Sequence, residues 1–149
     1  MNKQYATFFL NNLFLGVEVL KVQEVIRYQQ MTHVPLAPDM IEGLINLRGQ
    51  IVTAIDLRRR FGFTKLGEGL RPMNVVIRCD DGAVSLLVDE IGDVIEVDEE
   101  NCDRPPETVK GIARELVTGV YKLKGHLLLI LDTEKAMTVP GHQNKLQLA

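Results

Sequence analysis

This chain lacks tryptophan and carries few aromatic residues of any kind. Aromatic side chains make up 5% of its 149 residues, and the formal net charge is −3. Proteins that bind nucleic acid usually present a basic surface, and those that bind single strands add aromatic side chains on which bases stack. This composition therefore argues against a nucleic-acid-binding barrel, and mildly against binding to anionic lipid.

Cysteines and long apolar runs are also scarce. Cys79 and Cys102 lie 23 positions apart and form no C-x-x-C pair, which argues against a zinc ribbon or a dithiol redox site. We expect two reduced thiols in a cytoplasmic protein, with a disulfide as the alternative. The longest apolar run, residues 127–131, is far shorter than the ~20 residues of a membrane helix. Residues 1–5 contain no apolar signal core, so the sequence predicts neither export nor membrane insertion.

Side chains that support catalysis form no recognisable constellation. The three histidines are scattered without metal-ligand spacing, and the single serine, Ser85, lies in an apolar run without a G-x-S-x-G elbow. Asp98-Glu99-Glu100 and Arg58-Arg59-Arg60 are charged runs that we interpret as solvated surface. The sequence therefore predicts no enzyme activity, no metal and no cofactor. A deep pocket with converging histidine and carboxylate groups would revive the enzyme alternative.

Short apolar, β-branched segments dominate the chain and predict a mainly-β fold. Turn signals separate many of these segments, as at Arg48-Gly49 and Lys124-Gly125. Asp56 and Asp132 stand where helix N-caps are expected, each before a single helical turn. The glycine-rich, polar stretch 64–72 predicts a long loop.

Two segments match later segments in the same order and indicate an internal duplication. Residues 47–52 align with 123–128 at an offset of 76, so that the turn glycines and the basic residues before them coincide. Residues 17–26 align with 86–95 at an offset of 69. An insertion in the second half, around residues 105–116, reconciles the two offsets.

The repeat predicts a single domain over residues 1–138, with approximate halves 5–63 and 73–138 and a disordered tail at 139–149. Each half holds five strand patterns and one helical turn. This content suits a small closed barrel, because an open sheet of this length would expose its edges. A groove between two such barrels is a favoured place for a partner.

One segment carries a family resemblance. Residues 42–52 read EGLINLRGQIV, and Ile55-Asp56-Leu57 follows. This stretch closely resembles the G-x-x-N-L-R-G-x-I-x-P-x-x-D-L signature of CheW-type chemotaxis coupling proteins. Residues 20–26, 86–95 and 117–132 resemble three further family segments, and the likeness spans about residues 5–138. Thr53-Ala54 departs from the pattern where a proline is common, and we expect the loss of this proline to regularise the strand.

The resemblance implies a fold of two SH3-like five-stranded β-barrels related by a pseudo-twofold repeat, with short helical turns. It implies a non-catalytic adaptor that couples chemoreceptors to a CheA-type histidine kinase. The expected partners are the kinase regulatory domain and the cytoplasmic tips of methyl-accepting receptors, with ring assembly with the kinase or with itself as a further possibility. The adaptor would be cytoplasmic and recruited to membrane-associated receptor arrays. An adaptor of a pilus or other non-flagellar array is the alternative within the family.

The resemblance also implies which residues bind. Val22, Glu24 and Arg48 match positions on the receptor-binding side, which is expected to take a helical receptor tip in the inter-barrel groove. Glu42 and Gly43 match the loop associated with kinase binding on a barrel face. Structural explanations stay open for each. Val22 also suits core packing, Glu24 suits a pair with Arg48, and Gly43 suits a backbone requirement.

Overall fold

A computed structural model gives the structure of the chain and describes residues 1–80, 82–107, 109 and 111–138. Within these residues it contains ten strands, three four-residue helices and two 3₁₀ turns, Val19–Lys21 and Glu99–Asn101. The predicted tail at 139–149 lies outside the described residues. The elements are, in chain order, β1 (Asn2–Leu10), β2 (Leu13–Glu18), β3 (Val22–Ile26), β4 (Ile41–Leu47), β5 (Gln50–Asp56), α1 (Leu57–Arg60), β6 (Met73–Cys79), β7 (Gly82–Val88), β8 (Glu90–Asp98), α2 (Ile112–Glu115), β9 (Val117–Leu123), β10 (His126–Leu131) and α3 (Thr133–Ala136).

The elements repeat as the sequence offsets predict. A shift of 76 places β4 on β9 and α1 on α3 with identical bounds. The two caps correspond as well, since Asp56 accepts hydrogen bonds from the N–H groups of Arg58 and Arg59, and Asp132 accepts one from the N–H of Lys135. Helix α2 lies in the inserted segment and has no counterpart in the first half, and the sequence pattern did not predict it.

The ten strands form two five-stranded sheets, which confirms the predicted mainly-β, two-unit fold. The central sheet has the order β3-β6-β7-β5-β4, and the terminal sheet has the order β8-β1-β2-β10-β9. The two orders correspond strand by strand under the repeat. Each contains one parallel pair, β5 with β7 and β10 with β2, while the other neighbours are antiparallel.

The sheets do not follow the two sequence halves. The first hairpin, β1–β2, lies in the half 5–63 but pairs with strands of the second half, and β6–β7 pairs with strands of the first. The halves 5–63 and 73–138 are therefore repeats in sequence but not separate sheets. Each half contributes its hairpin to the other half's sheet, and this exchange is the arrangement that the sequence left open.

A short bridge joins the two edges of each sheet. Thr32, beyond edge strand β3, exchanges two backbone hydrogen bonds with Leu44 of the opposite edge strand β4, at 2.9 and 2.8 Å. Asp103, beyond β8, makes the equivalent pair with Val120 of β9, at 2.8 and 2.9 Å. These bridges protect edges that would otherwise be open to pairing with another chain.

The core consists of one large shared cluster and two smaller ones. The shared cluster lies between the sheets and takes Phe8, Leu15 and Val17 from the terminal sheet and Ile55 and Leu86 from the central sheet, among others. Each sheet also encloses its own cluster. Successive strand residues point to opposite faces, so a strand at the contact between the sheets is apolar on both. This explains the near-continuous apolar runs in β6 and β10.

Candidate functional site

The turn between β4 and β5 presents Arg48 at its tip. Arg48 and Gly49 both have positive φ, 50° and 88°, which is the backbone of a tight hairpin turn. The side chain of Asn46 accepts a hydrogen bond from the Gly49 N–H at 2.9 Å and braces the turn from one side. An arginine seldom adopts positive φ, so the conformation holds a charged side chain where the turn projects from the sheet.

Arg48 pairs with Glu24 across the central sheet. The Arg48 guanidinium donates to the Glu24 carboxylate, whose side chain is 20% exposed, whereas Arg48 is 72% exposed. This hydrogen bond lowers the pKa of the Glu24 carboxyl. The expected pairing of these two residues is therefore confirmed, and the Arg48 face of the pair lies open to solvent.

Neutral side chains complete the surroundings of this pair. The Gln23 amide donates to Glu24 and to the side-chain oxygen of Gln50, both at 3.4 Å. Leu20 and Ile51 are 88% and 61% exposed on neighbouring elements. Exposed arginine and exposed apolar side chains are both common at protein-binding surfaces.

Val22 has a partly structural role. It is half-buried against the shared core, and its carbonyl accepts a hydrogen bond from the Arg78 guanidinium at 3.0 Å. A bulge between Val22 and Glu24 interrupts the pairing of β3 with β6. Because a bulge breaks the regular alternation of side chains, a simple count along β3 does not say which face each residue takes.

Gly43 lies on β4 where another segment approaches closely. A Cβ at this position would lie 2.7 Å from the carbonyl oxygen of Thr32 and 3.0 Å from Cβ of Met31. The glycine therefore allows the bridge that joins the edges of the central sheet to form. This is a backbone requirement, and it stands whether or not the residue also contacts a partner.

Glu42 lines a cleft of about 380 Å³ beside Asp56 and the loop 64–72. Burial raises the pKa of the Asp56 carboxyl, and the neighbouring Glu42 charge raises it further, against hydrogen bonds from the helix backbone. Arg71 of the loop lies over the Tyr28 ring at 4.9 Å from its centroid and holds the loop across the cleft. The predicted long loop is confirmed and forms one wall of the cleft.

The structure brings Glu24 and Arg48 together and separates them from Glu42 and Gly43. Gly43 and Arg48 are five positions apart along the extended chain, which corresponds to about 17 Å. The predicted residues thus form two surfaces at opposite ends of β4. Sequence reasoning missed Gln23, Gln50 and Arg78, and no local pattern marks them.

Residues 1–80, 82–107, 109 and 111–138 contain no group of three or more His, Cys, Asp or Glu side chains placed to hold a metal ion. Cys79, which is half-buried, and Cys102, which is exposed, form no disulfide with each other. In the same residues, no helix has the length and apolar character needed to cross a membrane.

Comparisons with known proteins agree with the motif. A family model described as a CheW-like domain matches residues 4–140. The chemotaxis protein CheW of Klebsiella aerogenes is 33% identical over 138 residues, covering 93% of this chain and 83% of its own length. The CheW of Treponema pallidum is 30% identical over 136 residues, covering 89% and 80%. The crystal structure of the scaffolding protein TtCheW from Thermoanaerobacter tengcongensis aligns with a TM-score of 0.85 and 31% identity, over 97% of this chain and 98% of that one.

Proposed function

This chain belongs to the CheW-like family of chemotaxis coupling proteins, and we propose that it links receptor tips to a CheA-type kinase through two separate surfaces. The family relationship accounts for a scaffold in chemotaxis signalling, with receptors and a kinase as partners in general. The proposal adds where each partner binds: receptor tips at Val22, Glu24 and Arg48, and the kinase regulatory domain at Glu42 and Gly43.

The observation that carries the receptor site is the exposed Arg48–Glu24 pair. Glu24 holds the guanidinium in place but leaves most of it accessible, so further donors remain available for an acceptor on a partner. Leu20, four positions before Glu24, and Ile51, three positions after Arg48, provide exposed apolar area. A helical hairpin with apolar and polar side chains on one face fits such a surface, because apolar contacts supply affinity and the arginine sets the register.

The kinase surface is proposed at the other end of β4. Glu42 is half-buried at the mouth of the cleft, and Gly43 shapes the strand next to it. We propose that the separation of about 17 Å along the strand allows both partners to bind at the same time. An adaptor needs this property, since its effect depends on holding both partners together.

The mechanism needs no bond-making step in this chain. We propose that it is non-catalytic and cofactor-free, that it acts in the cytoplasm at membrane-associated receptor arrays, and that ring assembly places adaptor and kinase side by side. Its contribution is an effective concentration: binding to one partner raises the local concentration of the other.

Calorimetry with two purified fragments, a CheA regulatory domain and a receptor-tip hairpin, tests the proposal. We expect both to bind, and we expect the second to bind unchanged when the first is present in saturating amount. If this chain bound neither fragment, the adaptor assignment would be overturned. Mutual exclusion of the two fragments would overturn the two-surface arrangement and leave a single shared site.

A further inference from the structure

A cavity lined by two arginines lies between helix α1 and the segment before β4. Its volume is about 410 Å³, and it is lined by Pro38, Asp39, Met40, Arg59, Arg60, Gly62 and Phe63. Cavities of this size accept one or two side chains of a partner. The site lies at the Glu42 end of the central sheet and about 20 Å from the Arg48 turn, because β5 runs between the two.

The two guanidiniums of this cavity are incompletely paired. Arg59 donates to the Asp39 carboxylate at 2.7 Å, but Asp39 is 89% exposed and is a weak partner in water. Arg60 donates to the backbone carbonyl of Lys135 at 2.9 Å, and no carboxylate lies within ion-pair distance of it among the residues described. The Nε groups of both arginines are shielded from solvent and have no hydrogen-bond acceptor within the described part of the chain.

Burial affects the pKa of Arg60 as expected for a cation without a full counter-charge. It lowers the pKa of the Arg60 guanidinium, and the charge of Glu115 opposes the shift only in part. Arginine is the residue that most often contributes a planar, bidentate contact to a carboxylate at a protein interface. An acidic side chain from outside the chain would pair with the two guanidinium groups where they line the cavity.

Apolar residues occupy the rest of the lining. Met40 is buried and Phe63 is half-buried and stacked with Phe61, with ring centroids 6.0 Å apart. Leu36 lies two residues before Pro38, is fully exposed, and has a φ of 64°. A bulky residue with positive φ is strained, and this one exposes an apolar side chain two residues before the cavity lining begins.

We propose that the cavity formed by Met40, Arg59, Arg60 and Phe63 docks an acidic side chain that is flanked by an apolar residue on a protein partner. The guanidiniums pair with the carboxylate, and Leu36, Met40 and Phe63 contact the apolar neighbour. Charge complementarity favours this occupant, because the cavity lining carries two arginines and one aspartate. The inference extends the proposed function to a further contact but does not require that the partner be the kinase.

The test is an NMR titration of the full chain with two peptides, acetyl-Leu-Glu-Glu-Leu-amide and its uncharged analogue acetyl-Leu-Gln-Gln-Leu-amide. We expect the acidic peptide to shift the Nε–H signals of Arg59 and Arg60 and the ring signals of Phe63. We expect the glutamine peptide to bind about tenfold more weakly, since it forms no charge-assisted hydrogen bonds. Equal binding of both peptides, or no shift with either, would overturn the proposal.

Variants separate the cavity from general charge effects. Arg59→Gln and Arg60→Gln should each weaken binding of the acidic peptide, whereas Arg104→Gln, an exposed arginine outside the cavity, should leave it unchanged. Arg60→Lys keeps the charge but loses the planar fork, so it should restore binding only in part. If Arg60→Gln fails to fold, Arg59→Gln and the shift map of the unaltered chain still decide the outcome.

The same titration also tests whether the cavity binds other anions. Inorganic phosphate that binds as well as the acidic peptide would replace the proposal with a general anion site. Vesicles of anionic lipid that compete with the peptide would replace it with a lipid surface. Either result leaves the adaptor proposal intact, because no kinase or receptor fragment is present, and failure of the adaptor test leaves this one intact.

Discussion

Arg58 and Asp89 form a two-pronged ion pair that joins the two sheets. Arg58 Nε lies 2.8 Å from Asp89 Oδ1, Arg58 Nη2 lies 3.0 Å from Asp89 Oδ2, and both side chains are only 15% exposed. Asp89 also accepts a hydrogen bond from the Asn11 N–H at 2.7 Å. One carboxylate thus connects helix α1, the β1–β2 turn and the junction between β7 and β8.

Removing this pair should destabilise the fold markedly. We expect Arg58→Ala to lower the free energy of unfolding by about 2–3 kcal/mol, because it leaves a shielded carboxylate without its cation. Denaturant unfolding followed by circular dichroism measures the change. A double-mutant cycle with Asp89→Ala should show strong coupling between the two substitutions.

The exposed ion pair between Arg59 and Asp39 provides the control for Arg58. Asp39→Ala should change stability by less than about 1 kcal/mol, because Asp39 is mostly in water. A loss as large as that of Arg58→Ala would contradict the view that burial makes the Arg58 pair important.

Gly43 should be required for folding, whether or not it contacts a partner. A methyl group there would press on the Thr32 carbonyl, so Gly43→Ala should cost about 1–3 kcal/mol through overpacking. Gly67→Ala is the matched control, because its nearest neighbour would be a flexible Leu70 side-chain atom at 3.6 Å. Unfolding curves of the two variants test the difference.

The same steric constraint applies to a second substitution, Gly43→Asp. We expect it to reduce affinity for the kinase regulatory domain and to destabilise the central sheet. Affinity should therefore be measured by calorimetry at a temperature where the variant is folded. Unchanged affinity in the folded variant would remove Gly43 from the binding surface.

The contribution of Asp56 to stability should fall as the pH rises, which is the reverse of the usual behaviour of an aspartate. Burial raises the folded-state pKa of this carboxyl above its unfolded value, so the folded state binds the proton more tightly. Its contribution to stability is therefore most favourable at low pH and declines as pH rises through the folded pKa. Asp56→Asn retains the cap without the charge and should remove this decline, whereas Asp56→Ala also loses the cap and should be about 1 kcal/mol less stable than Asp56→Asn at any pH.

The measurement for Asp56 is the unfolding free energy from pH 3 to pH 7. If the difference in unfolding free energy between the unaltered chain and Asp56→Asn does not change with pH, the Asp56 carboxyl titrates alike in the folded and unfolded states. In that case the burial of Asp56 would have no consequence for stability.

Arg48→Ala should leave the fold intact and weaken receptor-dependent activation of the kinase. The side chain is mostly exposed and makes its ion pair at the surface, so its loss should not shift the unfolding midpoint measurably. Lys124→Ala alters the equivalent turn of the terminal sheet and is the matched control. Equal loss of activation in both variants would show that surface charge, and not the Arg48 site, matters.

Local features of this protein follow from the sequence alone. The tight turn at Arg48-Gly49, the caps Asp56 and Asp132, the long loop 64–72 and the repeat all depend on residues close together in the chain. Turn chemistry, capping and side-chain period act over a few residues, so a pattern records them directly. The motif at 42–52 identified the family for the same reason, since its residues are contiguous.

Tertiary structure alone decided which strands share a sheet and what each site residue contacts. The hairpin β1–β2 joins β10 through a parallel pair whose residues lie more than 100 positions apart, and no local pattern encodes such a pairing. The closeness of Gly43 to Thr32, the half-burial of Val22 and the Arg58–Asp89 pair likewise arise only when distant segments pack. The physical reason is that these contacts follow from the burial of one core shared by both sheets, a property of the whole chain rather than of any segment.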